Sequence, residues 1–550
     1  MNIVLDDNSG QETLFDGYAW HEGRYVDAAS SAATFSAMDC PAFLRAVGQC
    51  NGLFRVIVRR PGELLAAVDR VRSHPLFYGF KDGKTFLSHD AYWLRRQLGD
   101  MRPELDAATE LWHLLYVLDD RTLAAGVRQL PPGHALHVRT TPQGTTAEQI
   151  GYYSYLQRPG EATDAPGLMD RLDGILDRAF ARLLESARGR QLVIPLSGGL
   201  DSRLVACMLK RLEAPEVLCF SYGMPGNAES LASEQVARRL GLPWEFVSYR
   251  DVDWHSSEQR RQRGRFSRFS SNLCALPPLL EDYLAVEALQ RRGRVAREAV
   301  FCPGHTACFS SGRRALEAAG QTTDELGLAE VILRQNCPRL HWKESSDAAR
   351  AVLCRRVFQG LRRLRAQSPG SWEGPMLLEG WNWMERQCKR IINMARAYEF
   401  WGCSWRIALW DHELMDFWGG IPFPLRRGKA LYRQYLLSRS GSRFFGLYDH
   451  LARADGATGT LGGLLGRGAG RISWLRYFMS QDNFERLLCG GYGRYLRTVG
   501  RRALSLEPVT PPWLLLEQGG LEEIWSADED LSVGEAGAAE PVLRLPCNAS

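Results

Sequence analysis

The stretch VIPLSGGLDSRLVACML, residues 193–209, constrains the fold of this chain more than any other. A short apolar run predicts a buried strand, the turn Ser-Gly-Gly-Leu-Asp-Ser follows, and apolar residues then resume at helical spacing. The neighbouring segments repeat the alternation. LMDRLDGILDRAFARLLESA is an amphipathic helix, VLCFSYG a second apolar strand, and SEQVARRLG a helix closing on Gly241 before the strand WEFVSY. Strand and helix in this rhythm predict a parallel sheet with helices on its faces, beginning near residue 168.

The turn itself is suited to an anion. Glycines let the backbone approach a phosphate, successive N–H groups point at it, and the positive end of the following helix favours its charge. Ser197 and Ser202 add hydroxyls. Asp201 repels phosphate unless a cation intervenes, so magnesium shared between Asp201 and phosphate oxygens is the inference. The turn lacks the Gly-Lys-Ser/Thr ending of the usual P-loop.

Before residue 156 the pattern differs: short apolar runs such as LFRVIVRR, ELLAAV and ALHVRTT are broken by Gly, Asn and Pro, which predicts a strand-rich unit. QRPGEATDAPG (157–167) is the expected linker. After residue 310 the chain becomes helical and aromatic-rich, GATGTLGGLLGRGAGR (456–471) is a glycine-rich loop, and 526–550 is an acidic tail expected to be disordered. The length of 550 residues suits two domains, and 45% hydrophobic with 24% charged residues suits a folded chain. A net charge of +5 is too mild to indicate nucleic acid. Thirteen cysteines without a Cys-x-x-Cys pair argue against a zinc site or disulfide framework. MNIVLDDNSG is unlike a signal peptide, and no run suits a membrane span, so a cytoplasmic location is expected.

SGGLDS after a VIPL strand resembles the signature of the pyrophosphate-loop ATP-dependent ligases, and its context is similar to the asparagine synthetase family, which includes β-lactam synthetases and lasso-peptide cyclases. NGLFRVIV at 51, AAVDRVRSHPLFYGF at 66, LPPGHALHV at 130 and Tyr152–Tyr153 resemble its glutaminase-type domain; YGMPGNAES at 222 and YEFWGCSWRIALWDHELMDFW at 398 resemble its synthetase domain. The resemblance implies an α/β two-domain fold. An Ntn-hydrolase-like αββα domain (1–156) precedes a doubly wound parallel-sheet ATP-pyrophosphatase domain with a helical subdomain (168–525). It also implies ATP and Mg2+ as cofactors, with Ser197, Gly198, Gly199, Asp201, Ser202, Tyr222, Gly223 and Gly304 lining the nucleotide site and Asp201 holding the metal. A substrate carboxylate is adenylated and an amine then attacks it, giving an amide, AMP and pyrophosphate.

Three departures from the family pattern matter. The glutaminase cysteine is missing from the N-terminal MNIVL, and the first cysteine is Cys40. Glutamine hydrolysis is therefore not expected, and the amine comes from ammonia, from the substrate itself, or from a second molecule. Asn51–Gly52 match the family's oxyanion-hole dipeptide, but a turn before a strand accounts for them equally, and we take the structural reading. In FCPGHTACF (301–309), aligning the glycines puts His305 at the family's general-base position and Cys308 at its second metal position. Histidine suits the first role and cysteine is a poor magnesium ligand.

In GCSWRIALWD, Ser404 and Ala408 replace the family's Glu and Pro, and Arg406 and Asp411 are read as structural anchors. The late lysine of β-lactam synthetases falls to Lys429, Lys389 or Arg427, and Glu385 is the candidate acid orienting His305. The arginines of EQRRQRGRFSRF are read as a solvated face, and Trp381, Trp383, Tyr398, Phe400, Trp401 and Trp405 as core. The expected substrate is a carboxylate with an amine, in a precursor peptide, a small molecule or a sugar intermediate. The competing readings are a catalytically degenerate nucleotide-binding scaffold, an ammonia-dependent asparagine synthetase, and a tRNA-modifying enzyme.

Overall fold

A computed structural model describes residues 2–5, 10–100, 102–155, 164–223, 225–249, 256–275, 278, 281–306, 324–337, 347–366 and 374–438. Cys308, the glycine-rich stretch 456–471, the tail 526–550 and most of the expected linker lie outside these residues.

Ten strands form two antiparallel sheets in the first part of the chain. They are β1 (Asn2–Leu5), β2 (Glu12–His21), β3 (Arg24–Val26), β4 (Asn51–Arg60), β5 (Glu63–Val68), β6 (Phe77–Lys81), β7 (Lys84–Ser88), β8 (Arg128–Gln129), β9 (His134–Thr141) and β10 (Gly144–Gly151). One sheet has the order β1-β7-β6-β8 and the other β10-β9-β5-β4-β2-β3.

Alternation along β4 and β5 explains how they stack. Ile57, Leu64, Ala66 and Val68 join Ile3, Tyr78 and Leu87 of the smaller sheet in one core, while Val56, Val58, Leu65 and Ala67 pack on the opposite face. That opposite face is covered by α1 (Ser31–Phe35) and α2 (Cys40–Gln49), through Phe35, Phe43 and Val47. On the outer side of the smaller sheet lie α3 (Ala91–Leu98) and α4 (Leu105–Leu114), which bury Leu94 and Leu111 against Phe77. The layer order is helix, sheet, sheet, helix.

The second part opens with α5 (Ala165–Ala187), which starts ahead of the expected 168 because the Asp164 carboxylate caps the Gly167 amide and Pro166 fits the first turn. Then come β11 (Leu192–Pro195), α6 (Leu200–Arg211), β12 (Val217–Gly223), α7 (Ala228–Leu240), β13 (Trp244–Ser248), α8 (Ser257–Ser271), α9 (Asp282–Arg291), β14 (Val300–Phe301) and β15 (Ser404–Trp405). These five strands are all parallel, in the order β13-β12-β11-β14-β15.

The direction of winding reverses between β11 and β14, which opens a crevice at their carboxyl ends. The strand β15 falls within a stretch expected to be helical. Its two residues pair with Val300 and Phe301, too short a run for any pattern to reveal.

Within the stretch expected to be helical, residues 374–400 are helical but of changing kind. An α-helix Gly374–Asn382 continues as a π-helix Trp383–Ile391, a 3-10 turn Ile392–Ala395 and a short α-helix Arg396–Phe400. Trp381, Trp383, Tyr398 and Trp405 are buried, and Tyr398 stacks on Phe301 with ring centroids 4.3 Å apart. One apolar cluster runs through both parts of the chain, joining Tyr18, Leu53, Val71 and Leu114 to α5 and the parallel sheet. No helix among the described residues is long and apolar enough to cross a membrane.

Candidate active site

The loop after β11 fixes its own shape. Ser197 and Ser202 hydroxyls lie 2.9 Å apart, the Gly199 amide donates to Ser197 Oγ at 3.1 Å, and the Ser197 amide donates to Ser202 Oγ at 3.1 Å. The Arg203 guanidinium donates to the Gly198 carbonyl. Gly199 begins α6 with extended backbone, and no side chain caps the helix. The positive end of a twelve-residue helix is thus turned to the crevice without a protein acceptor from its cap residue.

Gly304 leaves β14 and lies against this first turn. A Cβ there would come within 2.4 Å of the Ser202 nitrogen and 2.8 Å of the Asp201 carbonyl carbon, so backbone meets backbone and only glycine fits. The two strand ends flanking the crevice are thereby brought into contact. Asp201, in the first turn, is 9% exposed, and the Tyr432 hydroxyl donates to its Oδ1 at 3.3 Å. Tyr432 was not anticipated; its signal is its place one turn beyond Lys429, one of the three candidates for the family's late lysine, which has left-handed backbone before the helix Ala430–Ser438.

At the end of β12, Tyr222 stacks on Tyr249 with centroids 5.1 Å apart, and the Gly223 carbonyl accepts from the Tyr249 amide at 2.9 Å. Gly223 has φ +114, a left-handed conformation that lets the chain turn into α7, whose first turn Asn227 caps through the Ser230 amide at 2.8 Å. Tyr398 donates to Asp282 beside this wall, and burial raises the Asp282 pKa despite that bond. Glu281, whose Oε2 is buried without a hydrogen-bond partner, is pushed up to about 7 by burial, opposed by the charge of Arg390.

His305 follows Gly304 and is partly exposed, but its Nδ1 is buried and has no hydrogen-bond partner among the described residues. Burial lowers its pKa to about 4, so the imidazole is neutral at pH 7. Its neighbour Thr306 donates through Oγ1 to Gln387 Oε1 at 2.8 Å.

Glu385 does not orient this imidazole. Its carboxylate pairs with Lys389 at 2.6 Å and accepts from the Asp119 amide at 3.1 and 3.3 Å, with both side chains almost wholly buried. Lys389 also donates to the carbonyls of Val117 at 3.1 Å and Asp119 at 2.5 Å, so it is taken up in a clamp with the N-terminal part. Asn51 is likewise committed. Its amide donates to Asp411 Oδ2 at 3.1 Å and its carbonyl oxygen accepts from the His412 amide at 3.1 Å. Asp411 also receives Arg182 through two bonds of 2.8 Å and caps the helix His412–Gly420, while Arg406 donates to Ser186 Oγ at 2.9 Å.

Of the arginines in 260–268, Arg261 pairs with Glu258 on the surface, and Arg268 lies 3.7 Å from Asp90 and over the Tyr92 ring. Among the described residues no group of three or more His, Cys, Asp or Glu side chains is arranged to hold a metal. A magnesium ion here would rest on Asp201 and phosphate oxygens, a fit that the buried carboxylate at a helix amino end allows.

Residues 171–253, which span α5, β11, the loop, α6, β12, α7 and β13, match the model of the asparagine synthase family. That stretch of the chain belongs to the asparagine synthase family. No curated protein sequence matches the chain. Among solved structures, glutamine phosphoribosylpyrophosphate amidotransferase from B. subtilis complexed with ADP and GMP is similar over 55% of this chain and 63% of that one, at 11% identity and a TM-score of 0.19. A structure of the allosteric regulatory enzyme of purine biosynthesis is similar over 61% of this chain and 69% of that one, at 12% identity and a TM-score of 0.18. The chain spans less than two thirds of the first of these proteins. Likenesses of this strength add nothing to the asparagine synthase assignment.

Proposed function

We propose that this protein is an ATP-dependent, AMP- and pyrophosphate-forming carbon–nitrogen ligase. The observation that carries the reading is the meeting of the SGGLDS turn after β11 with the Pro-Gly-His turn after β14, at the crevice where the parallel sheet reverses its winding. The helix amino end, Ser197 and Ser202 receive the β- and γ-phosphates of ATP. Asp201, steadied by Tyr432, would hold Mg2+, and that ion would supply charge to screen the phosphates while a carboxylate oxygen approaches the α-phosphorus. Tyr222 and Gly223 border the adenosine, and Lys429 offers a cation one helical turn from Tyr432.

The carboxylate displaces pyrophosphate from the α-phosphorus and becomes an acyl-adenylate. An amine then attacks the acyl carbon, giving up its proton to neutral His305 through the unpartnered Nδ1, and AMP leaves. The anionic substrate beside the imidazole raises the proton affinity that burial lowers.

The amine does not come from glutamine in this reading, because Asn51 is spent on Asp411 and His412. The expected substrates are an acid and amine within one peptide or small molecule that is cyclised, or a sugar acid that is amidated. The glutaminase-type layers of 1–156 and the ATP-pyrophosphatase unit of 168–525 form two domains, and the protein works in the cytoplasm. Incubation with ATP, Mg2+ and a panel of carboxylates and precursor peptides should release AMP and pyrophosphate in equal amounts. Absence of AMP across the panel, together with ATP binding that survives Asp201→Ala, would sink the proposal.

A further inference from the structure

The π-helix Trp383–Ile391 is nine residues long, and such i→i+5 geometry is rare and concentrated at functional sites. The residues that grip it come from the N-terminal part. The Trp383 indole donates to the Arg70 carbonyl at 2.9 Å, and its ring meets Tyr153 edge-on at 5.6 Å. Glu385 and Lys389 close on the backbone of Val117 and Asp119, as described above. Asp119 is itself pinned by Arg356 at 2.5 Å and Arg363 at 2.8 Å, with left-handed backbone at φ +56.

Gln387 lies between Glu385 and Lys389 in sequence and, two residues from each, does not share their face, whereas Trp383, four residues before it, lies on nearly its own face. Gln387 is 3% exposed and accepts the hydroxyl of Thr306, the residue after His305. The helix therefore has one side fastened to residues 117–119 through Glu385 and Lys389, and another fastened to residue 70 through Trp383 and to the loop that leaves β14 through Gln387.

We propose that Thr306 and Gln387 are positioning residues for His305, and that the π-helix makes the placement of that imidazole depend on the grip of the N-terminal part. The function of the first 155 residues is then mechanical: Asp119 and Arg70 hold the helix, the helix holds Thr306, and Thr306 holds the loop. The inference rests on the reading of His305 as the base. It gives the antiparallel part of the chain a task that needs no glutaminase chemistry.

The test uses full-length protein with histidines labelled at Cε1, the His305 resonance being assigned from its loss in His305→Asn. Thr306→Val removes the hydroxyl at nearly constant shape and should move the His305 resonance by more than its linewidth. Thr306→Ser should restore it. The double variant Glu385→Gln with Lys389→Met, which touches neither His305 nor Thr306, should move the same resonance; Trp383→Phe replaces it if the double variant does not fold.

A resonance unmoved by Thr306→Val, or moved equally by valine and serine, overturns the positioning role, and one unmoved by the distant variants overturns the role of the N-terminal grip. The ligase reading is tested apart from these by adding ATP and Mg2+ to the wild-type protein. A His305 resonance indifferent to them speaks against the nucleotide site while leaving the mechanical coupling standing.

Discussion

The crevice at the carboxyl ends of β11 and β14 and the seam around Asn51 and Lys389 are both rich in polar residues, and they use them in opposite ways. At the seam most of the named groups are spent on one another, Asn51 on Asp411 and the His412 amide, Asp411 on Arg182, and Lys389 on Glu385 and two carbonyls, although the buried His412 Nε2 has no hydrogen-bond partner among the described residues. At the crevice, a helix begins without a side-chain cap, and His305 keeps a buried nitrogen with no hydrogen-bond partner among the described residues. Buried polar groups are expensive to leave unpaired, so groups left that way beside a helix amino end mark the place where a ligand completes the bonding. Paired groups mark the place where the protein is held together.

The largest effect should come from the seam. Lys389→Met leaves the buried Glu385 carboxylate without its counter-charge and should cost about 3–5 kcal/mol, read as a lower urea midpoint. At the crevice, Gly304→Ala forces a methyl against the Ser202 nitrogen and should cost about 1–3 kcal/mol while abolishing ATP binding, a pairing of effects that the seam variants should not show. Asn51→Ala should cost about 1–2 kcal/mol in thermal unfolding and leave AMP formation per folded molecule unchanged. A large loss of AMP formation in that variant would erase the distinction between the two regions.

The smallest effect is a pH dependence. Burial holds His305 at about 4 against an ordinary 6.5, so the fold favours the neutral ring. The resulting stability is present above pH 6.5 and is lost as pH falls from 6.5 through 4, because the unfolded chain takes up the proton first. His305→Gln should flatten the fall of the unfolding midpoint over that interval, and an unchanged slope would mean the ring is open to water.

Local pattern revealed the parallel sheet well. VLCFSYG is β12 residue for residue, and the strand, turn and helix from 192 to 211 appear as read, because period and turn chemistry act over a few residues. The loop residues and Gly304 were legible for the same reason, with the added support of a family pattern. The pairing of Glu385 with Lys389 follows the i,i+4 spacing of a helix, but its second partner, the backbone of Asp119 266 positions away, is beyond any spacing rule. The π-helix escaped because apolar residues recur along WMERQCKRI much as they would in an α-helix, and the difference lies in backbone bonds. Asp411 and Arg406 were rightly taken as anchors, but their partners, Asn51, Arg182 and Ser186, became known only from the folded chain.

The Asn51–Asp411 bond joins residues 360 apart in the sequence, and that separation governs how the molecule is made. At ordinary synthesis rates the interval between the two residues leaving the ribosome is on the order of 20–70 s. Only at its end do Ile407, Leu409 and Trp410 join the apolar cluster that Tyr18, Leu53, Val71 and Leu114 share with α5 and the parallel sheet. The N-terminal part therefore keeps some apolar surface uncovered until the segment around Asp411 has been made, a state prone to aggregation during synthesis.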